Sequence, residues 1–201
     1  IIVNEQLPLE SQLCALTDEI AYNSHDIDDG LRSGLINPDA LMGLDLWKQA
    51  RAVAVERCGN SDPRGLVAVT LRRLIDILAT DLIDETSRRV AHSGCRNVSD
   101  IRSHSEPLAG FSEPVALAKR EVEAFLYSSF YEHPVIRSMF VKHQEILADL
   151  FNAYMRKPDD LPEKYRSRID NPDTKAQAVC DYIAGMTDRF AVERHKTLTG
   201  K

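Results

Sequence analysis

Three side chains near the start of the chain are spaced so that, on a helix, their polar groups lie on one surface. Asp18, Tyr22 and Asp26 follow one another at intervals of four residues. On an α-helix, two carboxylates and a phenol therefore lie along one face over two turns. The first basic residue of the chain is Arg32, so no cation close in sequence neutralises this face. The spacing predicts an acidic surface that needs a cation or a hydrogen-bonding ligand.

The side chains that surround Asp18 on the helix are small or apolar, namely Ser11, Cys14, Ala15 and Ala21. This composition predicts that the face packs against something rather than facing bulk water. A packed carboxylate needs compensation from a metal ion, an arginine or a hydrogen-bonding substrate. An exposed acidic face on an N-terminal helix is the alternative, and the periodicity leaves both open.

The element that carries this face is predicted to be a helix over residues 9–29. Its opposite side has a narrow apolar stripe with the spacing of a core-facing surface, formed by Leu9, Leu13, Leu16 and Ile20. Pro8 suits the first turn of the helix, and Gly30 and Gly34 predict that it bends or ends nearby.

The remaining chain predicts helix after helix. Asn37 followed by Pro38 is typical of a helix start, and the run Asn60-Ser61-Asp62-Pro63 repeats this signal. Trp47 is expected to be a core anchor. Strand-like alternation and Asn-Gly or Asp-Gly hairpin turns are missing from the sequence. The fold class is therefore predicted to be all-α, a globular orthogonal helical array. Further helices are predicted over residues 37–58, 64–92, 114–131, 134–154 and 174–195.

Length and composition predict one all-α domain over residues 1–201, in which residues 93–114 form a long connector. The 201 residues carry a net charge of -6 and are 43% hydrophobic, which suits a soluble chain with a sizeable core. The acidic balance argues against a broad nucleic-acid-binding surface, and no apolar run predicts a membrane span.

The four cysteines, Cys14, Cys58, Cys95 and Cys180, form no CxxC pair and no zinc-ligand spacing. They are predicted to be free thiols of a reducing, cytoplasmic protein. Cys14 and Cys180 fall within helical patterns and are expected to be small core residues.

The neighbouring residues His25 and Asp26 do not predict the His-Asp dyad of an HD-type metal phosphohydrolase. Such a site needs a further histidine before the dyad, and residues 1–24 contain none. Asp18 fits better the acidic ligand that completes such a site from further along the chain.

Five segments carry a resemblance to a known family. They are LTDEIAYNSHDIDDGL, LRRLIDILATDLIDETSRR, FLY followed by YEHP, LFNAYMRKPDDLP and DYIAGMTDRFAVERH. Together they resemble the bacterial dGTPase-like deoxynucleoside triphosphate triphosphohydrolases of the HD superfamily, in which a D-x-x-x-Y-x-x-x-D register recurs. The resemblance covers essentially all 201 residues.

The resemblance implies roles for the three residues of the acidic face. A divalent metal such as Mg²⁺ or Mn²⁺ is held by a histidine, a His-Asp pair and a final aspartate, and Asp18 stands in the position of that aspartate. Tyr22 and Asp26 match positions that face the deoxyribose and phosphates of a deoxynucleoside triphosphate. The implied reaction releases deoxynucleoside and intact triphosphate, and homo-oligomers with allosteric nucleotide sites are common in the family.

The sequence departs from the family pattern because the first histidine and the His-Asp pair are absent from residues 1–201. We therefore expect these residues to be the downstream part of a longer enzyme and to be inactive alone. A non-catalytic domain that binds a nucleotide or a protein is the alternative. Arg72, Arg73 and Arg189 are either solvated or contact a phosphate or another subunit, which the sequence leaves open.

Overall fold

The structure, a computed structural model, describes residues 5–59 and 62–200, and these residues form helices and no strand. The predicted all-α fold is confirmed. The helices are α1 (Leu9–Ser33), α2 (Pro38–Leu41), α3 (Asp45–Cys58), α4 (Pro63–Ser93), α5 (Val98–Arg102), α6 (Glu113–Leu126), α7 (Pro134–Arg156), α8 (Glu163–Arg166), α9 (Pro172–Ala184) and α10 (Asp188–Thr199). A π-helical turn, Tyr127–Tyr131, follows α6, and a 3₁₀ turn, Pro158–Asp160, follows α7.

The helices belong to two compact units, Ile1–His133 and Pro134–Lys201. The first contains α1 to α6 and the second α7 to α10, and each has its own hydrophobic core. A single functional domain over residues 1–201 stays a prediction. No helix in the described ranges is long and apolar enough to cross a membrane.

The core of the first unit is built around the long helix α4, against which α1 and α3 pack. The apolar face of α4 is buried at Leu71, Leu74, Leu78 and Leu82. Trp47 of α3 is also buried, as predicted. Ile75 and Ile83, which share the apolar pattern of this helix in the sequence, are instead exposed.

The predicted apolar stripe of α1 faces this core. Ile20 is buried, and Leu13 and Leu16 pack against the cluster while remaining half-buried. The helix is longer than predicted, because it continues through Gly30 and ends at Ser33. Gly34 terminates it in a left-handed conformation, with φ of 74°, which glycine adopts without steric cost.

Two predicted helices are each divided in the structure. Asn37 caps α2 as predicted, accepting a hydrogen bond from the N–H of Asp39, but an extended Leu44 separates α2 from α3. The predicted helix over residues 174–195 is divided into α9 and α10. Thr187 is extended there, and its hydroxyl accepts from the N–H of Phe190, starting a new helix.

The start of α4 is capped by the side chain of Asp62, which accepts from the N–H of Arg64. The part of the predicted start signal that falls on Asn60 and Ser61 lies outside the described residues. Pro63 occupies the first turn of α4, as the sequence predicts.

The cysteines are free where the structure describes them, at Cys14, Cys95 and Cys180. The expectation that Cys14 and Cys180 are core residues is wrong, because both side chains are exposed. Cys14 lies one turn before Asp18 on the outward side of α1, so the core-facing stripe does not include it. The side chain of Cys58 lies outside the described residues.

The connector predicted over residues 93–114 crosses the first unit as a packed segment. It contains the short helix α5, and its later part is buried from Leu108 to Phe111. The side-chain carbonyl of Gln12 accepts from the N–H groups of Leu108 and Ala109 at 2.9 and 3.0 Å. These bonds fasten the connector to α1.

Gly30 allows the chain to fold back closely after α1, and this provides a test of the fold. A Cβ added at Gly30 would lie 2.3 Å from Cδ1 of Ile36, whose side chain is buried. We expect Gly30→Ala to lower the free energy of unfolding by about 1–3 kcal/mol, because overpacking outweighs the gain in helix propensity. Urea denaturation measures the change.

The matched background for this test is Ile36→Ala, which removes Cδ1 and Cγ1, the two atoms that the new methyl group would approach most closely. In that background Gly30→Ala should cost little or become stabilising by up to about 1 kcal/mol. An equal loss of stability in both backgrounds would show that the close approach of these two residues is not the constraint.

Candidate functional site

The acidic face of α1, formed by Asp18, Tyr22 and Asp26, lies on the side of the helix away from the core. Asp18 is exposed and accepts no hydrogen bond from any residue that the structure describes. Tyr22 is 61% exposed. The first two members of the predicted site are therefore accessible, and the Asp18 carboxylate has its oxygens available to a ligand.

The small residues around Asp18 do not pack against another element within the described ranges. Ser11, Cys14, Ala15 and Ala21 are all exposed, so the expectation of a packed face is wrong for this part of the chain. Three of them form, together with Asp18, a shallow open depression on α1. The buried residues of α1 lie on the opposite side of the helix; they are Gln12, Ile20, Ser24, Ile27 and Gly30.

Asp26, the third member of the face, is half-buried and accepts a hydrogen bond from the hydroxyl of Tyr131. Tyr131 ends the π-helical turn after α6, where the N–H of Glu132 donates to the carbonyl of Tyr127 at 3.0 Å. This five-residue spacing interrupts the regular helix, as is frequent near functional sites. The turn thus brings a second phenol to the acidic face.

Burial and the hydrogen bond to Asp26 raise the pKa of Tyr131 to about 12. The phenol therefore keeps its proton throughout the neutral range and acts as a donor to the carboxylate. With one oxygen engaged by Tyr131, the other oxygen of Asp26 still has lone pairs to offer a hydroxyl group.

A buried cation lies next to the acidic face. The ammonium of Lys119 in α6 donates to a carboxylate oxygen of Glu19 at 2.7 Å and also to Glu123. The side-chain amide of Asn23 donates to Glu123 at 3.5 Å. Burial lowers the pKa of Lys119, but the two carboxylates outweigh burial and raise it overall. The cation neutralises the carboxylates beside Asp18 without engaging Asp18 itself.

The described residues do not by themselves form a metal site. They contain no group of three or more histidine, cysteine, aspartate or glutamate side chains placed to hold an ion. His25 is exposed on α1 and joins no such group. Asp18 offers a single carboxylate, and divalent metals prefer several carboxylate or imidazole ligands.

The sequence does not predict that Tyr131 and Lys119 contact α1. Both contacts join residues about a hundred positions apart, 105 for Tyr131 with Asp26 and 100 for Lys119 with Glu19. The one available signal was that Tyr131 lies in the YEHP segment that carries the family resemblance. Lys119 has no signal in the sequence, because a single lysine in an amphipathic helix is typical of a solvated position.

Comparison with known proteins identifies the relatives of this chain. Residues 109–197 match the phosphohydrolase-associated domain. The deoxyguanosinetriphosphate triphosphohydrolase-like protein of Ralstonia nicotianae is 38% identical over 194 residues, which are 96% of this chain and 49% of the relative. The resemblance seen in the sequence is confirmed.

Relatives with the same name occur in other bacteria. The protein of Bordetella pertussis is 39% identical over 193 residues, covering 96% of this chain and 50% of its own length. The protein of Geobacter sulfurreducens is 38% identical over 190 residues, covering 94% of this chain and 49% of its own length. The chain spans about half the length of the curated relatives it matches.

The contact between Tyr131 and Asp26 predicts a dependence of stability on alkaline pH. The pKa of Tyr131 is raised in the folded protein, so the phenol stabilises the fold fully below its unfolded pKa of about 10. This contribution is lost as the pH rises towards about 12, the pKa in the folded protein. We expect Tyr131→Phe to remove that part of the decline between pH 10 and 12, measured by urea denaturation.

Tyr127→Phe is the matched control, because Tyr127 is in the same π-helical turn and is exposed. Its stability should follow the wild-type decline. If Tyr131→Phe declines with pH as steeply as wild type, the phenol is not held by Asp26 in solution.

Proposed function

We propose that residues 1–201 are part of a metal-dependent deoxynucleoside triphosphate triphosphohydrolase. The observation that carries the proposal is the exposed register of Asp18, Tyr22 and Asp26 on α1, in a chain similar over nearly its whole length to dGTPase-like proteins. The reaction converts a deoxynucleoside triphosphate and water to a deoxynucleoside and triphosphate.

Asp18 is proposed as one ligand of the divalent metal, Mg²⁺, Mn²⁺ or a similar ion. The family resemblance supports this role. So does the structure's geometry, because the Asp18 carboxylate is exposed and accepts no hydrogen bond from the described residues. The neighbouring Glu19 is engaged by Lys119 and is less suited to the role. The metal would supply positive charge that offsets the phosphates of the substrate.

Tyr22 and Asp26 are proposed to bind the substrate. They follow Asp18 by one and two helical turns on the same face, so a nucleotide with its phosphates near Asp18 extends along α1 past both. The hydrogen bond from Tyr131 fixes the Asp26 carboxylate and leaves it able to accept from a sugar hydroxyl. These contacts would orient the deoxyribose relative to the reacting phosphate.

The bond changes of the proposed reaction are simple. The oxygen of a water molecule forms a bond to the α-phosphorus, and the bond from that phosphorus to the 5′ oxygen breaks. The 5′ oxygen takes a proton and leaves with the deoxynucleoside, while the three phosphates remain joined. Within residues 1–201 we assign the substrate-orienting contacts and one metal ligand, and no residue that transfers the proton.

The other metal ligands are proposed to lie outside the numbered residues. The described residues contain no group of three potential ligands, and the chain spans about half the length of its relatives. The whole protein is further proposed to be cytoplasmic and a homo-oligomer, on the strength of the free thiols and the family resemblance.

A competing proposal from another class is a non-catalytic helical domain that binds a nucleotide or a protein through the same acidic face. The observation in its favour is that one carboxylate does not hold a divalent metal firmly, and the described residues contain no further cluster of ligands. The two proposals predict different results for a longer natural protein that contains the chain, which should hydrolyse dGTP under the first proposal and not under the second.

The 201-residue chain alone is expected to be inactive. Incubated with dGTP and Mn²⁺ or Mg²⁺, it should release no triphosphate above the rate of the metal alone, because it supplies one metal ligand. Chromatographic separation of deoxyguanosine and triphosphate measures this. Turnover by the isolated chain, with bound metal in stoichiometric amount, would overturn the proposal of a shared site.

In the longer natural protein that contains these residues, Asp18→Ala is expected to abolish metal-dependent release of triphosphate. The loss should exceed the roughly 10–100-fold effect typical of residues that only support ligands. Glu10→Ala, which removes an exposed carboxylate at the start of the same helix, is the control and should keep near wild-type activity. Activity within a few fold of wild type in Asp18→Ala would contradict the assignment.

Variants of the two proposed substrate-binding residues should differ in their kinetics from Asp18→Ala, the variant of the proposed metal ligand. Tyr22→Phe and Asp26→Asn are expected to raise KM or lower kcat/KM while the protein retains its metal, because they lose substrate contacts only. Metal content by elemental analysis, measured beside the kinetics, distinguishes the two classes. Loss of metal from either variant would show that the residue serves the metal instead.

A further inference from the structure

A groove between α3 and α4 collects positive charge in an acidic protein. Three arginines line it, Arg57 from α3 and Arg72 and Arg73 from α4, and Asp76 is the one carboxylate among its lining residues. The net charge of the chain is -6. Solvation alone does not explain why three arginines line one groove, whereas binding of an anionic ligand does.

Only one of the three arginines of this groove lies within ion-pair distance of a described carboxylate. Arg73 approaches Asp76 with 3.8 Å between Nη1 and the carboxylate oxygen, which is too long for a hydrogen bond. Arg57 and Arg72 form no ion pair with a described residue. The guanidinium groups therefore keep most of their donors available.

One donor of the groove is in an unusual position. The Nε atom of Arg73 is shielded from solvent, and no acceptor for its N–H lies within hydrogen-bond distance among the described residues. Leaving such a donor unpaired costs about 1–3 kcal/mol, so native structures rarely do so. A ligand oxygen placed in the groove would satisfy it.

Half of the residues that line the groove are apolar. Val53 and Ala54 contribute from α3, and Val69 and Ile75 from α4, and Ile75 is 38% exposed. The volume is about 460 Å³, within the range of roughly 300–1,000 Å³ typical of small-molecule sites. The surface thus combines cationic side chains with apolar side chains that favour an uncharged, apolar group.

We propose that the groove between α3 and α4 binds a small organic phosphate. The phosphoryl oxygens accept hydrogen bonds from Arg72, Arg73 and Arg57, since guanidinium groups match phosphate in geometry and charge. The apolar or aromatic part of the ligand packs against Val53 and Ile75. The site shares no residue with the acidic face of α1 and does not rest on the proposed function.

A doubly charged phosphate suits the site better than a carboxylate. Three guanidinium groups carry more charge than one carboxylate offsets, and a phosphate monoester carries up to two negative charges and three acceptor oxygens at neutral pH. A singly charged carboxylate with the same apolar group is expected to bind more weakly for this reason.

Isothermal titration of the 201-residue chain with phenyl phosphate tests the proposal. We expect saturable binding that weakens with added salt, and a loss of about tenfold or more in affinity for the double variant R72Q/R73Q, the effect of removing charge-assisted hydrogen bonds. The double variant R96Q/R120Q removes two exposed arginines elsewhere in the same unit and should bind as wild type does.

Two further probes test the chemistry. Inorganic phosphate, which lacks the apolar group, and benzoate, which lacks the second charge, should each bind several-fold more weakly than phenyl phosphate. Arg57→Gln, on the other helix, gives an independent variant should R72Q/R73Q unfold, as monitored by circular dichroism. Absence of phenyl phosphate binding, equal losses in both double variants, or benzoate binding as tightly would overturn the proposal.

Discussion

The buried ammonium of Lys119 is the interaction on which the orientation of α1 depends. Its side chain is 8% exposed, and an unpaired charge at such a position costs several kcal/mol. Glu19 of α1 and Glu123 of α6 compensate it, and this holds α1 against α6 in one rotation. Ile20 on the adjoining face is directed into the core by the same rotation, so Asp18 points outward.

The sequence predicts well whatever local periodicity and helix caps determine. The core face of α1, the cap at Asn37, the long helix α4 and the all-α class are confirmed. The sequence does not predict which of two apolar faces of a helix a distant element covers. Ile83 belongs to the apolar pattern of α4, yet it is exposed in the structure. It also misses Tyr131 and Lys119, because their partners are set by tertiary packing across about a hundred residues.

The sequence predicts which residues share the candidate site, but it does not predict whether the surface around them is packed or exposed. The helical register that places Asp18, Tyr22 and Asp26 on one face follows from the spacing alone. The small residues around Asp18 suggested a packed face, yet they are exposed in the described chain. Under the proposed function, this exposure is what a shared site requires, since ligands and a cover from outside the numbered residues need access to α1. The family resemblance and the open carboxylate of Asp18 support the same account.

The most direct measurement is anomalous X-ray diffraction from Mn²⁺ in crystals of the longer natural protein that contains these residues. Our account predicts an Mn²⁺ peak within coordination distance of a carboxylate oxygen of Asp18. The remaining ligands are expected from residues outside 1–201. A fully coordinated metal whose ligands do not include Asp18 would contradict the account.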